Sequence, residues 1–303
     1  MECNTGGLKM VELELEKEKK DYTKLILGVS GAMVGIFVLL AVAYMVGGIT
    51  LPYEPVDYLV FALISFMGPI GFYKSRQAKN IEEIEKRLPD FLRDVAEAGR
   101  FGMTLADSIV VASEGRYGKL TPEIKKMAAQ ISWGVPASEA LRLFTKRVKT
   151  PMVERMMLIV IKASDAGGAV ADVLSMVAHD ARENMIKKQQ RKIEMSTYLA
   201  VIYISFLVYI VTIIILNATF LPKMQEAGQA VAEGAQAAGI TNLPTPLEVE
   251  LIPAIQLVFY LSVIAHGAGD GIMAGVLQTG RISEGMKHAS IMLLMGFLML
   301  RVL

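Results

Sequence analysis

The sequence predicts an all-α protein that crosses a membrane several times, with about five transmembrane helices and a cytoplasmic bundle of about six helices. Three observations carry this: long runs free of charge, Lys and Arg gathered at particular flanks of those runs, and a charged central segment with apolar residues at helical spacing. Of the 303 residues, 53% are hydrophobic and 20% charged, which excludes a disordered or collagen-like chain. Lys plus Arg number 31 against 30 Asp plus Glu, so the charge balance does not point to nucleic acid. The single cysteine, Cys3, excludes disulfide frameworks and Cys-based zinc sites; His179, His266 and His288 lack ligand spacing, and no metal or cofactor is expected.

The first span is Leu25 to Val46, inside an uncharged run between Lys24 and Glu54. Its apolar stretch is longer than the core of a cleaved secretory signal, the competing reading. Tyr58 to Tyr73 is the second span, with aromatic ends suited to the interface. Met195 to Pro222 holds the third and clearest, centred on Tyr198 to Ile215. Leu251 to Gly269 is the fourth, and Ala289 to Leu300 a fifth that falls short of the usual ~20 residues.

Basic residues orient these spans, because loops rich in Lys and Arg stay in the cytoplasm. Lys9, Lys17, Lys19, Lys20 and Lys24 precede the first span, whereas residues 47–57 hold neither Lys nor Arg. Lys74, Arg76 and Lys79 follow the second span, and Lys187, Lys188, Arg191 and Lys192 precede the third. The expected organisation is a cytoplasmic segment 1–24, two spans in 25–73, a cytoplasmic helical domain 74–194, and three spans in 195–303 with an external segment near 222–253. The N-terminus is expected inside and the C-terminus outside.

Within 74–194, Ile81, Ile84, Leu88, Phe91, Leu92, Val95 and Ala98 form one apolar stripe, with Pro89 expected to kink the helix. Thr121-Pro122-Glu123 reads as a helix start with Thr121 as the cap, and Pro136 and Pro151 open further helices. Gly102, Gly134 and Gly167 are each followed five residues on by an acid (Asp107, Glu139, Asp172) and seven on by Ile109, Leu141 or Leu174. Such a glycine suits a left-handed turn, the acid the first turn of the next helix, and the aliphatic residue its buried stripe. A solenoid repeat is the alternative reading of the same recurrence. Trp133, the only tryptophan, is expected in the bundle core, and Gln225 to Ala238 in a small surface helix.

Several stretches resemble the inner-membrane platform proteins of type II secretion and type IV pilus systems, the archaeal pilus, archaellum and tight-adherence members above all. They are Leu92 to Leu105 with Gly99 and Gly102; Gly134-Val135-Pro136 with Ala140-Leu141; Ala163 to Gly168 with Asp165, Gly167 and Gly168; and Gly280 to Gly285 followed by Lys287-His288-Ala289. The likeness covers roughly residues 70 to 300. It implies a non-enzymatic scaffold that couples a hexameric secretion ATPase to insertion of pilin or pseudopilin subunits. Many bacterial relatives carry two copies of the helical domain and this chain has one, so a second ATPase-facing surface would come from a partner subunit. Arg100, Lys125 and Lys126, as charged and exposed positions, are the candidate ATPase contacts.

The chain has no phosphate-binding GxxxxGK[ST] loop, HExxH or GxSxG. Gly267-Ala268-Gly269-Asp270 matches the GxGD string of intramembrane aspartyl proteases, which makes that the competing function; such chemistry needs a second, facing carboxylate. A transporter is the third reading, against which stand the few spans and the lack of an inverted repeat. Gly267, Gly271 and Gly275 also form a small-residue ladder, as do Gly31 and Gly35, suited to close helix packing and to a homodimer. His266 and Asp270 lie one turn apart, as a polar rung or a pilin contact. The methionines from Met286 to Met299 read as adaptable packing.

Overall fold

The structure, a computed structural model, describes residues 23–46, 54–238 and 251–302. The basic N-terminal segment with Cys3, the connection 47–53 and residues 239–250 lie outside the described residues. Among the described residues ten α-helices follow in order: α1 Thr23–Met45, α2 Pro55–Arg100, α3 Leu105–Ala112, α4 Thr121–Ser132, α5 Ala137–Val148, α6 Pro151–Asp165, α7 Val170–Ile215, α8 Leu221–Ala237, α9 Ile252–Thr279 and α10 Ile282–Val302. A 3-10 turn, Gly118–Leu120, precedes α4, and a π turn, Leu216–Phe220, joins α7 to α8. The protein is all-α and polytopic.

Contacts divide the chain into two units, Arg76–Arg191 and Tyr22–Ser75 with Lys192–Leu303. The 46-residue helices α2 and α7 contribute to both. α2 runs unbroken past Pro69 and Pro89.

The first unit is a bundle of the second half of α2, α3 to α6, and the first half of α7. Its core is one cluster in which Leu88, Phe91, Leu92, Ile124, Met127, Phe144, Val153, Met156 and Met157 are almost fully buried. These positions recur at three- and four-residue steps, so each helix turns one stripe inward. The start of α4 departs from the expected cap. Thr121 is already helical, Leu120 occupies the cap, and the Thr121 hydroxyl instead accepts a hydrogen bond from Tyr117 N at 2.8 Å. The 3-10 turn has moved the helix start one residue back.

The second unit holds the bilayer-length helices. α1, the N-terminal half of α2, α7 with its extension through α8, and α9 are each long and apolar enough to cross a membrane. The fifth expected span lies in α10, which carries Glu284 and Lys287 in its first turns and Arg301 at its end. α9 and α10 form an antiparallel hairpin whose backbones nearly touch. A Cβ built at Gly275 would lie 2.1 Å from Gly285 N, one at Gly271 2.2 Å from Ala289 Cα, and one at Gly71 of α2 2.5 Å from Lys287 N. The Gly267, Gly271, Gly275 ladder is thus filled by α10 of the same chain, and it offers no seam to a homodimer partner. A Cβ built at Gly31 or Gly35 on α1 would meet nothing within 4 Å.

Gly275→Ala is expected to lower stability by about 2 kcal/mol or more, because a backbone contact cannot yield as a side chain does. Gly35→Ala is expected to change it by less than about 0.5 kcal/mol. Thermal unfolding of the full-length protein in detergent compares the two.

Candidate functional site

Six helix segments alternate in direction through the bundle, so its connections fall at two ends. At the end where the chain enters and leaves, near Arg76 and Arg191, Glu85 is 5% exposed and accepts from Met152 N at 3.3 Å and Lys188 Nζ at 3.0 Å. Lys119 Nζ reaches Glu83 at 2.8 Å at the same end and holds that carboxyl below its usual range. Between α4 and α5, Arg147 Nε meets Glu123 Oε2 at 2.9 Å. The Tyr117 hydroxyl, donating to Asp94 at 2.6 Å and Ala112 O at 3.0 Å, is pushed well above its usual range by burial and by the Asp94 carboxylate.

The opposite end is made of three tight reversals. Gly102 and Gly134 adopt φ +87° and Gly167 φ +67°, left-handed values open to glycine at little cost. After Gly134, Val135 N donates to Gln130 O at 3.1 Å, closing the last turn of α4. After Gly102, the Thr104 side chain caps α3 by accepting from Asp107 N at 3.2 Å. Asp107, Glu139 and Asp172 each stand in the first turn of the next helix, and Ile109, Leu141 and Leu174 are buried, as the glycine spacing predicts. Gly99 lets α2 approach α7, since a Cβ there would sit 3.1 Å from Ala171 Cβ. Arg142 reaches Asp165 at 3.3 Å and ties the second reversal to the third.

Large apolar side chains face solvent at this end. Phe101 is 86% exposed, Trp133 89% and Met103 43%. Trp133 is therefore not a core residue. The buried stripe of α4 runs through Ile124, Met127 and Ala128 toward Ile131 and Val135, and position 133 falls off it. Phe101 likewise lies off the stripe of α2. That phase was the available signal.

Residues 91–218 match the model of the family described as type II secretion system (T2SS), protein F. Over that stretch, the F domain, the chain is similar to type II secretion protein F. A relative, an uncharacterised protein of Methanocaldococcus jannaschii, is 26% identical over 245 residues, which is 81% of this chain and 38% of the relative. The chain thus spans well under half of that relative's length. No solved structure matches.

The F domain runs from Phe91 through the bundle and along α7 to residue 218, within the third charge-free run. Within it, Arg100 is exposed at the glycine end, whereas Lys125 and Lys126 sit in the second turn of α4, toward the other end, with Lys126 3.5 Å from Glu123. The structure does not gather these three into one patch. Outside the F domain, His266 Nδ1 lies 3.6 Å from Asp270 Oδ2, so the rung forms, and the Asp270 carboxylate has an imidazole partner. Residues that the sequence reading passed over hold one end of the second unit together. Asp57 is fully buried, taking Arg301 Nη2 at 2.7 Å and the Tyr260 hydroxyl at 2.6 Å. Among the described residues, no three His, Cys, Asp or Glu side chains converge as a metal site.

Acrylamide is expected to quench the fluorescence of Trp133 in the folded protein nearly as well as in the urea-unfolded chain, and Trp133→Ala to cost under about 0.5 kcal/mol. A shielded indole would contradict the exposed position.

Proposed function

We propose that the protein is a membrane platform for filament assembly of the type IV pilus, archaellum or type II secretion kind. Its F domain docks on a hexameric secretion ATPase, and its transmembrane helices receive pilin or pseudopilin subunits. The observation that carries this reading is the glycine end of the F domain, where Phe101 and Trp133 stand in solvent on three rigid reversals. Exposed aromatic residues on a preorganised scaffold are what protein interfaces use as anchors. The unbroken helices α2 and α7 give the docking domain a direct covalent link to the bilayer-length segments.

The Lys and Arg residues at 74–79 and 187–192 favour a cytoplasmic helical bundle over 74–194, with the N-terminus inside and the C-terminus outside the cell membrane. The part played here is structural, with ATP hydrolysis supplied by the partner.

Full-length protein is expected to co-purify with a hexameric secretion ATPase from the same cells. Trp133→Asp and Phe101→Asp should each weaken that association by about tenfold or more, the size of an anchor residue's effect. Charge reversal at Arg100 should weaken it too, and reversal at Lys125 or Lys126 less so. Binding unaffected by both aromatic substitutions would overturn the assignment of this surface.

A further inference from the structure

A cavity of about 240 Å³ opens at the end of the second unit where α2 and α9 begin and α10 ends, lined by Glu54, Asn217, Gln256, Tyr260 and Arg301. Asn217 stands in the π turn after α7, a rare backbone form that recurs at functional sites. Its Oδ1 is buried with no hydrogen-bond partner, and a buried acceptor calls for a donor. The level of the cavity follows from α2. Asp57 and Lys74 lie about 26 Å apart along that helix at 1.5 Å per residue, close to the ~30 Å of a hydrocarbon core. Glu54, just before Asp57, therefore stands where hydrocarbon meets headgroups.

The charges here do not cancel. Arg301 Nη2 lies 2.7 Å from Asp57 Oδ2 and 3.1 Å from Glu54 Oε2, and Nε donates to Asp57 Oδ1 at 3.2 Å. Asp57 also accepts from the Tyr260 hydroxyl and from Glu54 N, so its carboxylate is fully used. Two carboxylates against one guanidinium leave one negative charge, and the exposed one is Glu54, with 64% of its side chain open. The Glu54 carboxylate and the amide oxygens of Asn217 and Gln256 are acceptors in need of donors, while Arg301 keeps Nη1 beyond its two acids. A primary ammonium is a donor-only group with three N–H bonds, and it suits those acceptors. We infer that the cavity binds the headgroup of an aminophospholipid, its ammonium on Glu54 and the two amides and its phosphate beside Arg301 Nη1. Leu257 and Leu300 in the wall offer apolar surface to the lipid chains. The volume holds about eight water molecules at ~30 Å³ each, about as many as the non-hydrogen atoms of phosphoethanolamine. A headgroup with phosphate alone would set a second negative charge against Glu54, and a quaternary ammonium has the charge without the N–H bonds. This site is separate from the Phe101 and Trp133 docking end and does not depend on it.

The test places full-length protein in bilayer discs of phosphatidylglycerol mixed equally with phosphatidylethanolamine or with phosphatidylcholine, and counts by native mass spectrometry the lipids that stay bound. Phosphatidylethanolamine is expected to be retained about tenfold over either of the others, the ratio that ~1.4 kcal/mol supplies. Glu54→Gln removes the surplus charge while Asp57 still holds Arg301, so it should fold and bring the preference close to the mixing ratio. Asn217→Leu should do the same through the lost acceptor; if that variant does not fold, Glu54→Gln alone decides. Equal retention of phosphatidylcholine, preferred retention of phosphatidylglycerol, or a preference unchanged in Glu54→Gln overturns the proposal. So does Glu54-dependent binding of a soluble trilysine peptide with no lipid preference, which would assign the cavity to a peptide amine.

Discussion

A helix that must reverse direction within about four residues needs a left-handed backbone step, and glycine takes it at least cost. Gly102, Gly134 and Gly167 each supply that step, and the rest of the F domain is arranged around them. With the reversals fixed, each following helix starts in register, its acid falls at the positive end of the helix dipole, and its aliphatic residue enters the common core. The same geometry leaves the residues just before two of the glycines, Phe101 and Trp133, with no neighbour to lie against. Tight turns and exposed aromatic residues are two results of one backbone constraint.

How much of this was legible in the sequence depended on what each residue's neighbours could reveal. Bilayer-length helices announce themselves as charge-free runs, and the bundle as a 3.6-residue period, because both are properties of one segment at a time. The glycine turns were legible for the same reason. Trp133 was misread because an aromatic side chain defaults to the core; its phase relative to Ile124 and Met127 was the better guide. Thr121 lost its capping role to a 3-10 turn whose hydrogen bonds depend on Tyr117, a tertiary detail. The small-residue ladder of α9 revealed a close approach but not its partner, since any smooth helix surface fits such a groove.

In the second unit the helices meet backbone to backbone. Apolar side chains gain little from one another when lipid is the alternative, so close backbone contact at Gly71, Gly271, Gly275 and Gly285 stands beside the side-chain clusters around Ile264 and Leu293 and around Phe206 and Ile210 in holding these helices. The two units therefore rest on different physics in one chain. Core substitutions in the bundle act through lost burial, whereas glycine substitutions in the hairpin act through collision.

The buried Asp57 illustrates how such a unit must come together. Its carboxylate is held by Arg301, 244 residues further along, and by Tyr260 from the helix between. A carboxylate set among apolar helices without its cation is costly. During synthesis α2 emerges long before α10, so Asp57 has to wait near water, or borrow another partner, until the last helix arrives. The ion pair thereby acts as a closing clasp: α2, α9 and α10 lock together around Asp57 only when the whole hairpin is in place, and a chain truncated short of Arg301 would leave the clasp open.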